Sequence, residues 1–537
     1  MTDPGGPAEK TDVTFGSRLK SGSRFLHPAH EHTAFSATVL LMAAVMLSRV
    51  IGYLREAYIA WAFGAGPPTD AYVAAFTLPD WLNYLVAGGT ASITFISIFT
   101  RYSAESRQEE AQRAFDNVIT IMTAALLVLV GVAEVFAPQI VAWYFRGFSP
   151  DQLDLCVRLT RILLPAQIFF YVGGIVSAVL LSKRLFLYPA LGPILYNLAI
   201  ILGGVLLSAR LGIASLAYGA VAGAVIGPFL INAVGAARTG MRYHPSFEVR
   251  HPGFREWVRL SIPLMLGVSL VAADEWIMRF FASGGAGDIT RLNYAKRLFA
   301  VPIAVLGQAT GQASLPFFAR LFGEKRHADL ATAVSQSVYR VAAAGFLASA
   351  WMMAAALPLV DLVYRRGRLT FDDSQQIAIF FFWFALSLAF WAAQALYSRA
   401  FYAAGNTLTP MLAGTLVTAL SIPVYWWLFE RYSVVGLAIA SNIGILAHTV
   451  VIAFLLNQKK LVPAAAMPWG ELLKALLIAG AAGLASYYVS GVVVIDGSRR
   501  ADFISLGLVT VTWAGAVAAG LWITRSRLLM DLRQKSS

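Results

Sequence analysis

From about residue 34 to about residue 524 the chain is a succession of long apolar runs parted by short polar breaks. The runs fall at 34–63, 69–100, 113–145, 153–181, 187–208, 212–236, 255–282, 289–317, 330–363, 375–403, 408–428, 433–457, 469–491 and 502–524. Each is long enough to cross a hydrocarbon core, which takes about 20 apolar residues as a helix. A membrane β-barrel would show short alternating segments of about 10 residues instead. The pattern predicts an all-α polytopic membrane protein of about 14 transmembrane helices.

Composition agrees with that class: 58% of residues are hydrophobic and 13% charged, a balance foreign to a soluble domain of this length. Cys156 is the single cysteine, so an intramolecular disulfide and a cysteine metal cluster are both excluded. Residues 1–33 are polar and basic, and no cleavable signal peptide is evident. A piece around Phe15 to Phe25 is a candidate for lying on the membrane surface. With the N-terminus in the cytoplasm, the inner segments collect clusters such as Arg18-Leu19-Lys20, Lys183-Arg184, Lys325-Arg326 and Lys459-Lys460. They carry more than twice the Lys and Arg of the outer loops, which places both termini inside. The net charge of +13 then reads as topology plus attraction to anionic lipids. No nucleic-acid-reading motif accompanies it, so a nucleic-acid partner is not expected.

Two echoes recur at a fixed six-span offset. Leu181-Ser182-Lys183-Arg184-Leu185-Phe186 answers Tyr397-Ser398-Arg399-Ala400-Phe401-Tyr402, and Phe99-Thr100-Arg101 answers Phe318-Ala319-Arg320. The second and eighth spans each carry a midway proline, Pro79 and Pro302, with glycines beyond it (Gly88 and Gly89; Gly307 and Gly311). An even offset preserves orientation, so two six-helix lobes in parallel repeat around a central cavity are predicted, with an added C-terminal helix pair. The expected organisation is a cytoplasmic tail (1–33), an N-lobe (34–237), a cytoplasmic linker (238–254), a C-lobe (255–457), a two-helix hairpin (458–524) and a C-terminal tail (525–537).

Charges inside these runs are costly and mark function by default. The first span holds Arg49, Arg55 and Glu56. Arg49 falls near the bilayer centre and Arg55 in its outer half, about 240° apart around the helix. The alternatives are an internal ion pair for Arg49, and for Arg55 a snorkelling neighbour of Glu56. Lys296 and Arg297 follow the outer start of the eighth span by roughly 10–12 Å, and interfacial anchoring is their plainer reading. Guanidinium forks match phosphate bidentately, so arginines suit a pyrophosphate better than a carboxylate. Asp70, after Pro67-Pro68-Thr69, reads first as a cap on its own helix, otherwise as a partner for a first-span arginine. In the seventh span Glu275 and Arg279 form an i,i+4 pair. Asp274 is the acidic candidate for a coupling cation, Na+ or H+, or a counter-charge to the arginines. His448 reads as a packing histidine before a proton relay. No catalytic constellation and no P-loop is present, so an enzyme is not expected and no cofactor is called for.

Residues 48–72, SRVIGYLREAYIAWAFGAGPPTDAY, and the following FTLPDWLNYLVAGGTASITFISIF resemble the MurJ/MviN family of lipid II flippases, within the multidrug/oligosaccharidyl-lipid/polysaccharide exporter superfamily. The family's first-span S-R-V-x-G-x-x-R-[DE] and F-G-A-G-x-x-T-D-A-[FY] are both present. Tyr294-Ala295-Lys296-Arg297-Leu298 resembles its Y-A-x-R-L, and Leu315-Pro316 its closing L-P. The resemblance implies that Arg49, Arg55 and Arg297 contact the pyrophosphate of a polyprenyl-linked glycan, with Asp70 a functional acid. It also implies that the hairpin of the last two spans forms a groove for the polyprenyl tail. Two departures stand out. The second span lacks the family's arginine and glutamate, having Asp80-Trp81-Leu82-Asn83-Tyr84, and the seventh gains Asp274, Glu275 and Arg279. Arg279 is a candidate to replace the lost second-span cation.

The expected function is outward flipping of a polyprenyl-pyrophosphate glycan, lipid II first, by alternating access in a bacterial cytoplasmic membrane. Anionic lipids and cell-wall synthesis proteins are the accompanying partners, and a monomer the expected state. The alternatives are a flippase for another lipid-linked oligosaccharide, or a drug/cation antiporter of the same superfamily. A membrane glycosyltransferase needs acidic residues on sizeable loops, which are short here; a non-transporting scaffold is the remaining class.

Overall fold

In hydrocarbon a backbone amide without a partner costs several kcal/mol, so apolar runs of this length fold as helices that bond within themselves. The computed structural model describes residues 34–87, 95, 98–99, 101–102, 105, 107–266, 270–492 and 498–528, which contain helices and no strand. The expected tail 1–33 with its Phe15–Phe25 piece, Gly88, Gly89 and Thr100, and the last residues of the C-terminal tail lie outside them.

The first half runs through α1 (Ala34–Phe63), α2 (Pro67–Ala75), α3 (Thr77–Leu82), α4 (Gln108–Tyr144), α5 (Pro150–Leu163), α6 (Ala166–Ser182), α7 (Leu187–Leu211), α8 (Ala214–Ala224) and α9 (Asn232–Arg238). The second half runs through α10 (Pro252–Leu266), α11 (Leu270–Phe281), α12 (Asp288–Pro302), α13 (Thr310–Gly323), α14 (His327–Ala354), α15 (Ala356–Tyr364), α16 (Phe371–Ala385), α17 (Leu388–Ala403), α18 (Leu408–Gln458), α19 (Trp469–Ser490) and α20 (Arg499–Ile523). Among the described residues eight helices are long and apolar enough to cross a membrane, or up to ten if each bent pair is one span. One of the eight, the 51-residue α18, joins two helices across a kink at Ser433 (φ 51°). The fourteen runs of the sequence therefore remain a count of apolar segments.

Prolines widen three of these helices. A π-helical turn follows Pro79 (Asn83–Ala87), another contains Pro228 (Val225–Ile231), and a third follows Pro302 (Ile303–Ala309). Loss of the proline N–H is absorbed by such local changes in hydrogen-bond register. The second and eighth spans thus share a proline and the widening after it.

The chain forms two compact units, and their border runs through helices. The first comprises Met1–Arg55, Pro79–Glu134 and Ile162–Met265. Inside it α7 and α8 approach closely because they meet at glycines: a Cβ on Gly203 would lie 2.8 Å from the Gly219 Cα. The segment after α9 is laid along α4 by side chains of one face. Asp116 accepts from the His244 N–H, Asn117 from the Glu248 N–H and Thr120 from the Ser246 N–H, while Gln112 donates to the Arg242 carbonyl.

The second unit comprises Glu56–Leu78, Val135–Arg161 and Leu266–Ser537. Its core lies among α13, α14, α17 and the second half of α18, with Phe318, Val334, Leu396, Phe401, Ile452 and Leu456 buried together. The α19–α20 hairpin packs on α14 through Leu347, Ala350, Ile478 and Leu521. Indole N–H groups of Trp351 and Trp513 secure it, donating to the Thr510 hydroxyl and the Leu347 carbonyl. First-half helix ends are knitted into this unit by backbone contacts. The Arg368 N–H donates to the Trp61 carbonyl at 3.0 Å. The Tyr144 hydroxyl donates to the Trp276 carbonyl at 2.6 Å, and that of Thr160 to the Ala75 carbonyl at 3.3 Å.

Candidate functional site

The sequence candidates divide between the units within α1. Arg49 and Arg55 belong to the first unit, while Glu56, Asp70, Asp274, Arg279, Lys296 and Arg297 belong to the second.

In the first unit, α1 exposes an apolar stripe at Met42, Val45, Met46, Val50 and Leu54, and both arginines are half-buried. Arg55 turns to α7, where its guanidinium donates to the Asn197 carbonyl oxygen at 2.9 Å. The Asn197 amide donates to the Pro193 carbonyl at 2.9 Å and to the Ser48 hydroxyl at 3.4 Å. Gly52 leaves room for it: a Cβ there would sit 3.9 Å from Asn197. Arg55 is therefore aimed by an amide fixed on a neighbouring helix. Asn197 carries no motif, and its position one turn after Pro193 in an apolar run is the one signal that points to it.

In the second unit, Asp70 is fully buried. It does not cap its own helix: α2 starts at Gly66 with no side-chain cap bond. Its carboxylate instead accepts from the Gly287 N–H, from the Thr290 N–H at 2.9 Å and from the Thr290 hydroxyl at 2.6 Å. Asp70 is thus the N-terminal cap of α12, delivered from another segment of the chain and complementing the positive end of that helix. Caps are usually local, which is why the sequence points to the nearest helix.

Further along α12, Lys296 pairs with Asp274 of α11, which also accepts from the Tyr425 hydroxyl. Asp274 is 2% exposed, so the acid expected to hold a coupling cation is here occupied by an ammonium of the same chain. The Lys296 ammonium also lies 6.0 Å from the Phe384 ring centroid.

One residue on from Asp274, Glu275 makes the expected i,i+4 pair with Arg279 at 3.5 Å. Arg279 is buried, and its guanidinium also donates to the Thr77 hydroxyl at 3.3 Å. A seventh-span cation thereby reaches the second span at Thr77, two residues before its midway proline. Arg297 is 43% exposed along its side chain, with the buried Glu56 carboxylate 3.9 Å from its Nε. The sequence pairs Glu56 only with its neighbour Arg55; the structure adds the α12 arginine as a partner. Glu275 also lies within electrostatic range of Arg297 and Lys296. The unit therefore places three cations and three carboxylates from α1, α11 and α12 within one polar cluster.

The opposite side of α16 lines an apolar cavity of about 1630 Å3, walled by Phe346 and Met353 of α14, Phe382 and Trp383 of α16, and Leu476 and Tyr487 of α19. Pockets for drug-sized ligands span about 300–1,000 Å3; this one is larger, and its walls are mostly hydrocarbon. His448 lies elsewhere, buried against Gly414. Among the described residues neither of its ring nitrogens has a hydrogen-bond partner, which suits packing.

A family model described as "Lipid II flippase MurJ" matches residues 59–498. Lipid II flippase MurJ of Burkholderia cenocepacia is 32% identical over 52% of this chain and 56% of the relative. The probable lipid II flippase MurJ of a Synechocystis species is 25% identical over 83% of this chain and 86% of the relative. Among solved structures, a lipid II flippase MurJ in an inward closed conformation superposes with a TM-score of 0.75 at 20% identity, covering 90% of this chain and 99% of that one. An inward-facing multidrug MATE transporter reaches 0.62 at 16% identity, covering 78% and 98%; these likenesses speak for the fold.

Proposed function

The chain belongs to the MurJ family of lipid II flippases, and from that premise we propose that it moves lipid II from the inner to the outer leaflet of a bacterial cytoplasmic membrane, as a transporter rather than an enzyme. The observation that carries this reading is the two-sided use of α16. One side meets the charged cluster through Phe384 and Lys296, the other lines the large apolar cavity. A lipid-linked glycan has the same two parts, a charged diphosphate and a long hydrocarbon tail.

Arg297 is the cation best placed for the diphosphate, with 43% of its side chain exposed and the Glu56 carboxylate 3.9 Å from its Nε. Arg49 and Arg55 supply the fork donors of the other unit, Arg55 aimed by Asn197. Lys296 and Arg279 act in the same site by setting its local charge. The cavity against α19 takes the polyprenyl tail, so the tail stays in an apolar setting while the headgroup crosses. An alternating-access cycle between two lobes accommodates this division.

The drive follows from charge. An anion leaving the negative inside of a polarised membrane gains about 2.3 kcal/mol per charge per 100 mV. Asp274 would bind a coupling Na+ or H+ only after release of Lys296. Anionic lipids and cell-wall synthesis proteins are the partners in keeping with this role, with the chain acting as a monomer and both termini cytoplasmic. A flippase for a different lipid-linked oligosaccharide is the nearest alternative, because the second span lacks the family's arginine and glutamate. A drug/cation antiporter fits less well, since basic residues dominate the candidate contacts.

The test is depletion in cells with complementation by the wild type or by Arg49→Ala, measuring on which face lipid-linked precursor accumulates. Inward-facing lipid II accumulates if the reading is right. Normal lipid II with loss of another surface glycan reassigns the cargo, and a block before any lipid-linked precursor forms refutes transport.

A further inference from the structure

The cluster of Glu56, Asp274, Glu275, Arg279, Lys296 and Arg297 has as many carboxylates as cations, so it offers an anion little net attraction as it stands. For a diphosphate to engage its guanidinium groups, one carboxylate must yield. The three acids differ sharply in their freedom to do so. Asp274 is 2% exposed and held by both Lys296 and Tyr425. Glu56 is 6% exposed. Glu275 has 38% of its side chain exposed, and its pair with Arg279 is long at 3.5 Å. A cavity of about 20 Å3 bordered by Val73, Glu275, Arg279, Asn293 and Lys296 lies beside it, room for about one water. Exchange of one anion for another at Glu275 therefore opens no dry core. The same does not hold at Asp274, where removing Lys296 strands a buried charge.

We infer that Glu275 is an internal counter-anion, a positioning residue that engages Arg279 and Arg297 while no cargo is bound and competes with the cargo's diphosphate for them. The inference rests on the flippase reading and deepens it. Competition by a tethered carboxylate sets a threshold. A diphosphate, with more charge and two sets of oxygens, displaces Glu275, whereas a monophosphate or carboxylate of the same lipid does so poorly. The same carboxylate returns to the arginines as the cargo leaves, which keeps a tight diphosphate grip from slowing release. Glu275 is thereby a determinant of specificity and of turnover, acting through the arginines.

The experiment uses the full-length protein in lipid nanodiscs, titrated with a polyprenyl diphosphate and with the matching polyprenyl monophosphate. The variants are Glu275→Gln, which keeps shape without charge, and Glu275→Asp, which keeps charge on a shorter arm. Glu275→Gln is expected to tighten diphosphate binding about five- to tenfold and monophosphate binding by more, so the preference between the two lipids shrinks. Glu275→Asp should retain the wild-type preference, and the gain should disappear when Arg279→Ala is added. In vesicles Glu275→Gln should lower the maximal flipping rate while saturating at lower cargo. A folded Glu275→Gln protein with unchanged affinities, or one whose preference does not move, overturns the inference while leaving the flippase reading intact. Failure of the wild type to prefer diphosphate over monophosphate defeats the flippase reading itself, and the inference with it.

Discussion

Two sites on α12, about 10 Å apart along its axis, both bring acids and donors together, and they are built on opposite plans. At the helix start Asp70 is fully buried, and its carboxylate accepts from two backbone amides and a hydroxyl. One to two turns on, the Glu56–Arg297, Glu275–Arg279 and Arg279–Thr77 contacts are longer, 3.3–3.9 Å, and two of the side chains, Glu275 and Arg297, are well exposed. The first site is a finished joint whose donors have no other use. The second is a set of charges in loose mutual balance, which an incoming anion can rearrange. Asp274 and Lys296 lie between these plans, adjacent in sequence to the loose pair yet buried like the joint. Burial and hydrogen-bond completeness, more than residue type, separate a structural carboxylate from an exchangeable one.

The largest effect should come from breaking the joint. Asp70→Ala leaves the Gly287 and Thr290 amides buried without an acceptor, at a cost of about 4 kcal/mol. Thermal unfolding in detergent should show a larger drop than for Lys296→Met or Gly367→Ala, with Asp70→Asn recovering part of it. An Asp70→Ala protein of wild-type stability would make the joint no different from the loose cluster. Next, Lys296→Met strands Asp274 and should cost about 3 kcal/mol. Adding Asp274→Asn should restore much of that loss, a coupling that a double-mutant cycle on unfolding midpoints reads directly. Additive losses would place Asp274 and Lys296 with the exchangeable charges.

A third substitution tests how the joint's end of the unit is held shut. Gly367 has φ 62°, and a Cβ there would lie 2.1 Å from the Trp61 carbonyl oxygen. Gly367→Ala should therefore part the loop from α1 at a cost of about 2 kcal/mol. A cysteine placed at Ala65 should become reactive to an impermeant thiol reagent faster than in the parent. Unchanged reactivity would show that Asp70 and α12 hold the closure without the loop.

Much of this is legible in the residues. The all-helical membrane class follows from apolar run length, because run length in a bilayer is set by the solvent itself, and the family follows from the first-span motif. Arg297, Asp70 and the Glu275–Arg279 pair all stand out as charges within apolar runs or at their edges. What the sequence does not carry is the partner that arrives from a distant segment. Asp70 caps α12 across more than 200 residues, and the Glu56 carboxylate reaches Arg297, equally remote in the chain. Lys296 takes up Asp274, a choice between adjacent acids that depends on the rotation of α11 against α12 and on where Tyr425 arrives from α18. Helical periodicity says which residues share a face, and it is silent on what that face meets.

The smallest effect expected is at Asn197, and it carries the comparison into the first unit. One partner of Arg55 is a neutral amide, whose own N–H groups are spent on the Pro193 carbonyl and the Ser48 hydroxyl. An amide aims a guanidinium without adding a counter-charge, whereas the carboxylates beside Arg279 and Arg297 do both. Asn197→Ala should then cost only about 1 kcal/mol of stability, the worth of one modest hydrogen bond. Flipping should slow by raising the cargo concentration needed for half-maximal rate, because Arg55 keeps its charge and loses its direction. Asn197→Asp should do the opposite of what Glu275→Gln does: a carboxylate at this position adds negative charge beside Arg55 and weakens diphosphate binding. If Asn197→Asp bound diphosphate as well as the wild type, charge balance around Arg55 would be irrelevant, and the contrast between aiming and cancelling would hold only for the second unit.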